Sequence, residues 1–290
     1  MEKLPNNLSA RDCAFDLDDV DGDSLENLRR VGEGIAKDTL ATVNRLKEPV
    51  TPSQTIYARY GKRAVDIVLA LPALVLTAPI NMVCALLTLV DVGVPILFRQ
   101  ERVGKDGKPF EIIKFRNMTN ETDCDGNLLP PSQRTTKFGK IMRRTSLDEL
   151  LNFWSILKGD MSIIGPRPLP PIYDSFLSNR HKCRQLVRPG LECPSVRPPY
   201  RHVTWEEQFE NDVWYVENLS LATDIKMFIA LVRTMLDRKG TAVRAGATRG
   251  SFVGYNMDGT SINSHAIPNK YLCLVDTTIC SNSTEQGDAR

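Results

Sequence analysis

Between Ile67 and Val90 the sequence runs for about 24 residues without a charge, bracketed by Asp66 and Asp91. A helix of that length matches the hydrocarbon core of a bilayer. The other home for such a run is a buried helical hairpin in a soluble core, but uncharged stretches this long are rare there. Pro72 and Pro79 interrupt the run. Pro79, near the middle, removes a helical hydrogen bond and predicts a bend, with Thr77 and Asn81 placed to satisfy freed backbone groups. Arg59, Lys62 and Arg63 precede the run, and Arg99, Arg102, Lys105 and Lys108 follow it. A spanning helix shows one basic side. Two basic flanks predict a re-entrant helix that dips into the membrane and returns to the face it entered.

Around this segment the chain divides into four stretches. Residues 1–55 are polar, with acidic residues Asp16, Asp18, Asp19, Asp21 and Asp23. No register of that patch gives the ligand spacing and glycine of a calcium-binding EF-hand loop. A short helix is expected near Leu25 to Leu40 and a mobile tail elsewhere. Residues 56–98 form the membrane segment, 99–239 a central folded domain, and 240–290 a Gly/Ser/Thr/Asn-rich, loosely ordered tail. A net charge of +2 provides no field for nucleic acid. The seven cysteines are scattered without a C-x-x-C pair, which excludes a zinc ribbon or a thioredoxin-like site and fits a reducing compartment. The opening residues are polar and do not read as a signal peptide.

Beyond Ile96 the pattern changes. I-L-F-R-Q and F-E-I-I-K-F flank V-G-K-D-G-K-P, which predicts a β-hairpin. Lys114 and Arg116 alternate with apolar neighbours, as on a solvated strand face. A short basic helix is expected at Lys137 to Arg144. From Arg143 to Pro168 the chain reads R-R-T-S-L-D-E-L-L-N-F-W-S-I-L-K-G-D-M-S-I-I-G-P-R-P. Ser146 and Glu149 fit a capping box, and Leu147, Leu150, Leu151, Trp154 and Leu157 recur at helical spacing. Read locally, this is a well-capped core helix. Leu221 to Arg238 is amphipathic and suits either a core or a membrane interface.

The long string carries more than its local pattern. Arg143, then Ser146 to Leu150, then Ser155 to Ser162, then Gly165 to Pro168 resemble the signature of the bacterial sugar transferases, the monotopic polyprenyl-phosphate phosphoglycosyl transferases. The resemblance covers about Arg59 to Lys239. Lys114 to Met118 resembles the family's K-F-R-(S/T)-M, with Asn117 in place of the usual hydroxyl residue. Val187 to Gly190 matches V-(K/R)-P-G, but the chain then reads Leu191-Glu192-Cys193-Pro194 where members usually continue I-T-G. Ala78-Pro79 stands where Ser-Pro is usual.

The resemblance implies an α+β fold: a re-entrant membrane helix plus a mainly helical cytosolic catalytic domain with a small hairpin. It implies transfer of a phospho-sugar from a nucleotide diphospho-sugar, UDP in the usual case, to a polyprenyl phosphate. Asp148 would be the nucleophile and Glu149 the partner that binds Mg²⁺. Both substrates are polyanions, so charge neutralisation dominates the chemistry. Arg143 and Arg167 become phosphate clamps, with Lys114 and Arg116 as further phosphate-binding candidates. Arg188, Arg197 and Arg201 add charge near the departure, and Asp224 is a further carboxylate candidate. The implied setting is the bacterial inner membrane, catalytic domain on the cytoplasmic face, with the bilayer as partner and a homo-oligomer left open. The departure after Gly190 also fits a second reading, a membrane-anchored relative without catalysis that acts as an assembly or binding subunit.

Overall fold

The computed structural model describes residues 22–194 except 125, 127 and 130, then 203–236 and 250–274. Most of the acidic patch, Arg197, Arg201 and the last residues of the chain lie outside them. Among the described residues, helices are joined by three short two-stranded sheets, a mixed helix and strand architecture.

Helix α1 spans Gly22–Leu46. It is longer than the short helix expected from the sequence, and it is packed rather than mobile. Leu28, Val31, Ile35 and Val43 recur on one face and are fully buried. They join a core with Tyr173, Phe176, Trp205, Phe209, Phe252 and Tyr255. Phe252 and Tyr255 belong to β5 (Phe252–Tyr255), which pairs antiparallel with β6 (Ser261–Asn263). The small helix α7 (Asn269–Leu272) completes this layer, with Tyr271 buried. The described parts of the two terminal stretches, 22–46 and 250–274, thus close over one side of the central segment. Their apolar residues are sparse in each stretch, and they make a core only together and with the central aromatics Tyr173, Phe176, Trp205 and Phe209.

Helix α2 (Lys62–Val92) follows a π-helical turn at Tyr57–Gly61. Together they form 36 residues long and apolar enough to cross a membrane. Both prolines lie inside the continuous helix. Thr77 Oγ1 donates to the carbonyls of Ala73 (2.8 Å) and Leu74 (3.3 Å) rather than to Val75, whose bond Pro79 removes. The expectation that Thr77 satisfies the freed group is therefore not met. Lys62, Asp66, Ala70, Cys84 and Thr88 are buried, while Leu76 and Val90 are 75% and 86% exposed. Ala70 packs with Ile112, Ile156 and Met161. Cys84 packs with Phe115 and Met142. Both ends of the apolar helix therefore rest on the same folded body.

The predicted hairpin is present: β1 (Leu97–Val103) pairs with β2 (Pro109–Phe115) in full register, from Leu97 opposite Phe115 to Val103 opposite Pro109. The basic helix α3 spans Lys137–Thr145, and α4 spans Asn152–Lys158. Strands β3 (Ser162–Ile164) and β4 (Gly190–Glu192) pair in parallel. Here the two motif glycines meet. A Cβ on Gly165 would lie 2.6 Å from the Arg188 carbonyl oxygen, and one on Gly190 would lie 2.2 Å from the Gly165 nitrogen. Neither contact can relax by a side-chain rotation, so both positions require glycine. Helices α5 (Trp205–Glu217) and α6 (Leu221–Leu236) complete the fold.

Candidate active site

The site is built where β2, α3 and the turn after α3 converge. Ser146 does not start a helix. It ends one: its backbone is left-handed (φ 55°, ψ 24°), and its N–H closes onto the carbonyls of Arg143 and Met142. An N-cap residue needs extended backbone geometry, so the capping box expected from Ser146 and Glu149 is absent. A box of that kind forms instead at the head of α5. There Thr204 Oγ1 accepts from the Glu207 N–H (3.2 Å), and the Glu207 carboxylate accepts from the Thr204 N–H (2.9 Å).

The consequence is a single 3₁₀ turn, Leu147–Glu149, that presents its two acids before α4 begins. Neither acid sits at an α-helical N-terminus, so no α-helix dipole draws phosphate to them. Glu149, released from capping, accepts from Lys114 Nζ (2.9 Å) and Arg167 (2.7 Å) through Oε1. Burial raises its pKa, but the Arg167 and Lys114 charges outweigh burial and hold the pKa at about 2. Lys114 is thus turned toward the acids and is no solvated face.

Asp148 is 5% exposed. Burial, and then the neighbouring Glu149 charge, push its pKa above the ordinary carboxylate value, against Lys114 and Arg143. Asn117 Nδ2 donates to Asp148 Oδ2 at 3.4 Å. Arg143 Nε donates to Asn117 Oδ1 at 3.2 Å, and its Nη2 lies 3.0 Å from Met118 Sδ. The Asn117 backbone is itself clamped. A Cβ at Gly139 would sit 2.1 Å from the Asn117 carbonyl oxygen, so α3 passes as close as a glycine allows. These side chains line one open cavity of about 440 Å³, with Phe98, Gln100, Asn120, Leu128 and Arg134 completing its wall. That volume suits a small polar ligand.

Asp148, Glu149, Lys114, Arg143 and Arg167 are therefore brought together. Arg116 also lines the cavity, but its guanidinium donates to the carbonyls of Val92 and Val94 at the end of α2. It fastens that helix end. Arg188 Nε is likewise held by the Gly159 carbonyl (2.9 Å). Asp224 lies in a different place. It accepts from Tyr57 (2.5 Å), Tyr215 (2.8 Å) and Lys62 (2.8 Å), next to Asp66, and anchors the start of α2. It is absent from the walls of the Asp148 cavity. At the departure, Cys193 is buried against Met227, and its carbonyl accepts from Asn211 (2.9 Å). Asn117 is the site residue that sequence reasoning passed over. Its only signal was an amide in a position where a hydroxyl is usual.

Two carboxylates facing one cavity supply the hard oxygen donors that Mg²⁺ takes alongside substrate phosphates. Glu149 engages both cations through one oxygen, which leaves the donor type suitable. A second acidic group, His181 with Glu206 and Glu210, has ligand atoms within 4.8 Å of one another. Lys47 Nζ already sits there, 2.5 Å from Glu206 and 3.4 Å from Glu210, and fills the position of a cation.

The model of the family described as bacterial sugar transferase matches residues 57–238. The uncharacterized sugar transferase EpsL of Bacillus subtilis is 38% identical over 193 residues, 67% of this chain and 96% of that protein. A UDP-glucose:undecaprenyl-phosphate glucose-1-phosphate transferase of Escherichia coli is 37% identical over 185 residues, 60% of this chain and 40% of that protein. A UDP-N-acetylgalactosamine-undecaprenyl-phosphate N-acetylgalactosaminephosphotransferase of Aeromonas hydrophila is 34% identical over 189 residues, 62% and 44% respectively. The chain thus spans nearly all of the first and less than half of the other two. Layer α1–β5–β6–α7 lies outside the matched segment, whose core spans the membrane-type helix, the hairpin and the Asp148 turn: the chain belongs to the bacterial sugar transferase family.

Proposed function

We propose that this protein transfers a phospho-sugar from a nucleotide diphospho-sugar, UDP-linked by analogy with the named relatives, to a polyprenyl phosphate. One observation carries the reading. Asp148, a carboxylate with little access to water, faces a cavity whose other walls bring Lys114, Arg143 and Arg167. A weak nucleophile in a cationic pocket suits attack on a polyanion, where positioning and charge neutralisation lower the barrier.

An Asp148 oxygen attacks the phosphorus that bears the sugar. The bond from that phosphorus to the bridging oxygen breaks, and the nucleoside monophosphate leaves with the electron pair. The aspartyl phospho-sugar so formed is then attacked at the same phosphorus by a polyprenyl phosphate oxygen. The carboxylate is regenerated, and a polyprenyl diphospho-sugar departs, as in the first membrane step of polysaccharide or glycoconjugate synthesis. Arg167 and Lys114 hold Glu149 ionised and remain beside the incoming phosphates. With Mg²⁺ bound, Glu149 would hold it, and the ion would supply further neutralisation of phosphate charge.

The lipid substrate explains the anchor. A straight 36-residue helix would be about 54 Å long, well beyond a bilayer's hydrocarbon core of about 30 Å. Burial of both Ala70 and Cys84 against one body favours a helix that enters and leaves on the same face, here the cytoplasmic face of the inner membrane. Exposed Leu221, Ile225, Phe228 and Ile229 on α6, which begins beside the Lys62 anchor, extend the apolar surface.

Purified protein given a panel of nucleotide sugars without lipid acceptor should release about one equivalent of nucleoside monophosphate, and then turn over when polyprenyl phosphate is added. Release that strictly requires acceptor rejects the covalent route. No release with any donor, with or without acceptor, supports the non-catalytic assembly subunit.

A further inference from the structure

We propose that Asn117 is a positioning residue that holds Asp148 for attack by keeping Arg143 one amide away from it. The inference rests on the reading of Asp148 as nucleophile given above.

The geometry is directional. An amide has one accepting end and one donating end. Asn117 turns Oδ1 to the Arg143 guanidinium (3.2 Å) and Nδ2 to Asp148 Oδ2 (3.4 Å). The flipped amide would set oxygen against carboxylate and NH₂ against guanidinium, so both neighbours select the same orientation. The backbone cannot drift, because Gly139 is pressed onto the Asn117 carbonyl. The two ends of the relay come from different elements: Asn117 follows β2, and Arg143 lies in the last turn of α3.

A neutral spacer here has a chemical purpose. A guanidinium placed directly on an aspartate forms a two-pronged ion pair that occupies both carboxylate oxygens. Such an aspartate is a poor nucleophile, because its lone pairs are engaged. The Asn117 amide binds Oδ2 alone. It steers the carboxylate through that one oxygen and keeps the guanidinium charge beside the cavity without pairing it directly to Asp148. Lys114 and Arg167, the cations on the Glu149 side, are drawn to Glu149 (2.9 and 2.7 Å), which also spares Asp148. Sequence reading noted Asn117 only as a departure from a hydroxyl residue. A hydroxyl can also accept from Arg143 and donate to Asp148, so the amide and the hydroxyl are two solutions to one requirement.

The test compares Asn117→Ala with Asn117→Ser, which differ by one oxygen atom and leave nearly the same space. The full chain in lipid nanodiscs is mixed with a nucleotide sugar that the wild-type protein uses, and the rate of monophosphate release is followed in a single turnover. Asn117→Ala should slow that step at saturating donor by about ten- to a hundredfold, while donor affinity changes less than twofold. Asn117→Ser should recover to within about threefold of wild type, because it restores the acceptor and donor pair. Equal rates for Ala and Ser, or a loss confined to donor affinity, would overturn the proposal. Asp148→Asn, run alongside, separates the two levels. If it retains wild-type release, the nucleophile reading fails. If it is inactive while Ala and Ser match, only the role of Asn117 fails. Matching thermal unfolding of all variants excludes a folding defect as the cause.

Discussion

Phe252→Ala should loosen a helix that lies more than 200 residues away in sequence. Phe252 is fully buried, with ring centroids 5.0 Å from Phe209, 5.1 Å from Tyr255, 5.8 Å from Phe176, 5.9 Å from Trp205 and 6.0 Å from Tyr173. A buried phenylalanine removes about 150–250 Å² from water, worth about 4–6 kcal/mol at ~25 cal/mol per Å². Compactness of the unfolded chain trims that to about 3–5 kcal/mol, the range seen when Phe becomes Ala in other cores. Leu28, Val31 and Ile35 of α1 share this core with Phe252. If α1 and β5 open as one unit, hydrogen exchange in both should accelerate by roughly 10²- to 10⁴-fold, at one decade per 1.36 kcal/mol. Hydrogen exchange with peptide-level mass spectrometry reads this directly, with Phe252→Leu as the milder control. Faster exchange in β5 with α1 unchanged would refute the shared unit. Unchanged exchange in both would refute the burial estimate itself.

Asp148→Asn should lower turnover by on the order of 10⁴-fold or more and abolish a phospho-sugar adduct in the intact mass, since an amide cannot form the acyl phosphate. Retained turnover would remove Asp148 from the chemistry. Single cysteines replacing Arg59 and Lys105 should label from the same side of the membrane, and opposite labelling would mean a spanning helix. Pro79→Leu should favour a straight helix and lower activity. Acid should weaken the layer formed by the chain ends. Burial lowers the His181 pKa from 6.5, so the folded form binds fewer protons than the unfolded one and stability falls as pH drops below about 6.5. Glu210, held below the carboxylate range first by its His181 hydrogen bond and further by Arg180, adds a loss of the same sign once pH falls toward its unfolded value of 4.5. A lower protection factor in α1 at pH 5.5 than at pH 7.5, each referred to the intrinsic exchange rate at that pH, checks the sign, and His181→Gln should flatten the first step.

Much of the site was legible because its parts are close in sequence or carry distinctive charge. The Arg143 to Pro168 string placed Asp148, Glu149, Arg143 and Arg167 in one region, and the hairpin that brings Lys114 to them follows from two alternating strands around a Gly-rich turn. The capping box was misread for a tertiary reason. The same serine can open one helix or close another, and α3 needed a left-handed residue at its end. Arg116 and Asp224 were assigned through the family resemblance, whereas their partners, Val92 and Lys62, are set by how α2 docks. The layer made by the two chain ends was hidden because neither end has enough apolar residues to signal a core. Periodicity reports what one segment can bury and is silent on which distant segment supplies the other half.

Helix α2 also makes the thickness of the surrounding bilayer a variable of the enzyme. Cys84 stands on the membrane helix and packs into the cluster of Phe115 and Met142, against which Leu147 and Leu151 lie on either side of the two acids. A bilayer thinner or thicker than the helix prefers must be answered by tilting or bending, at a fraction of a kcal/mol per Å. A helix tethered at one end would absorb that displacement in its linker. This one is held at Lys62 and Asp66 by the buried ion network and at Val92 by Arg116. The stress then has a short lever to the turn that carries Asp148, so lipid chain length should modulate turnover with every catalytic group unchanged.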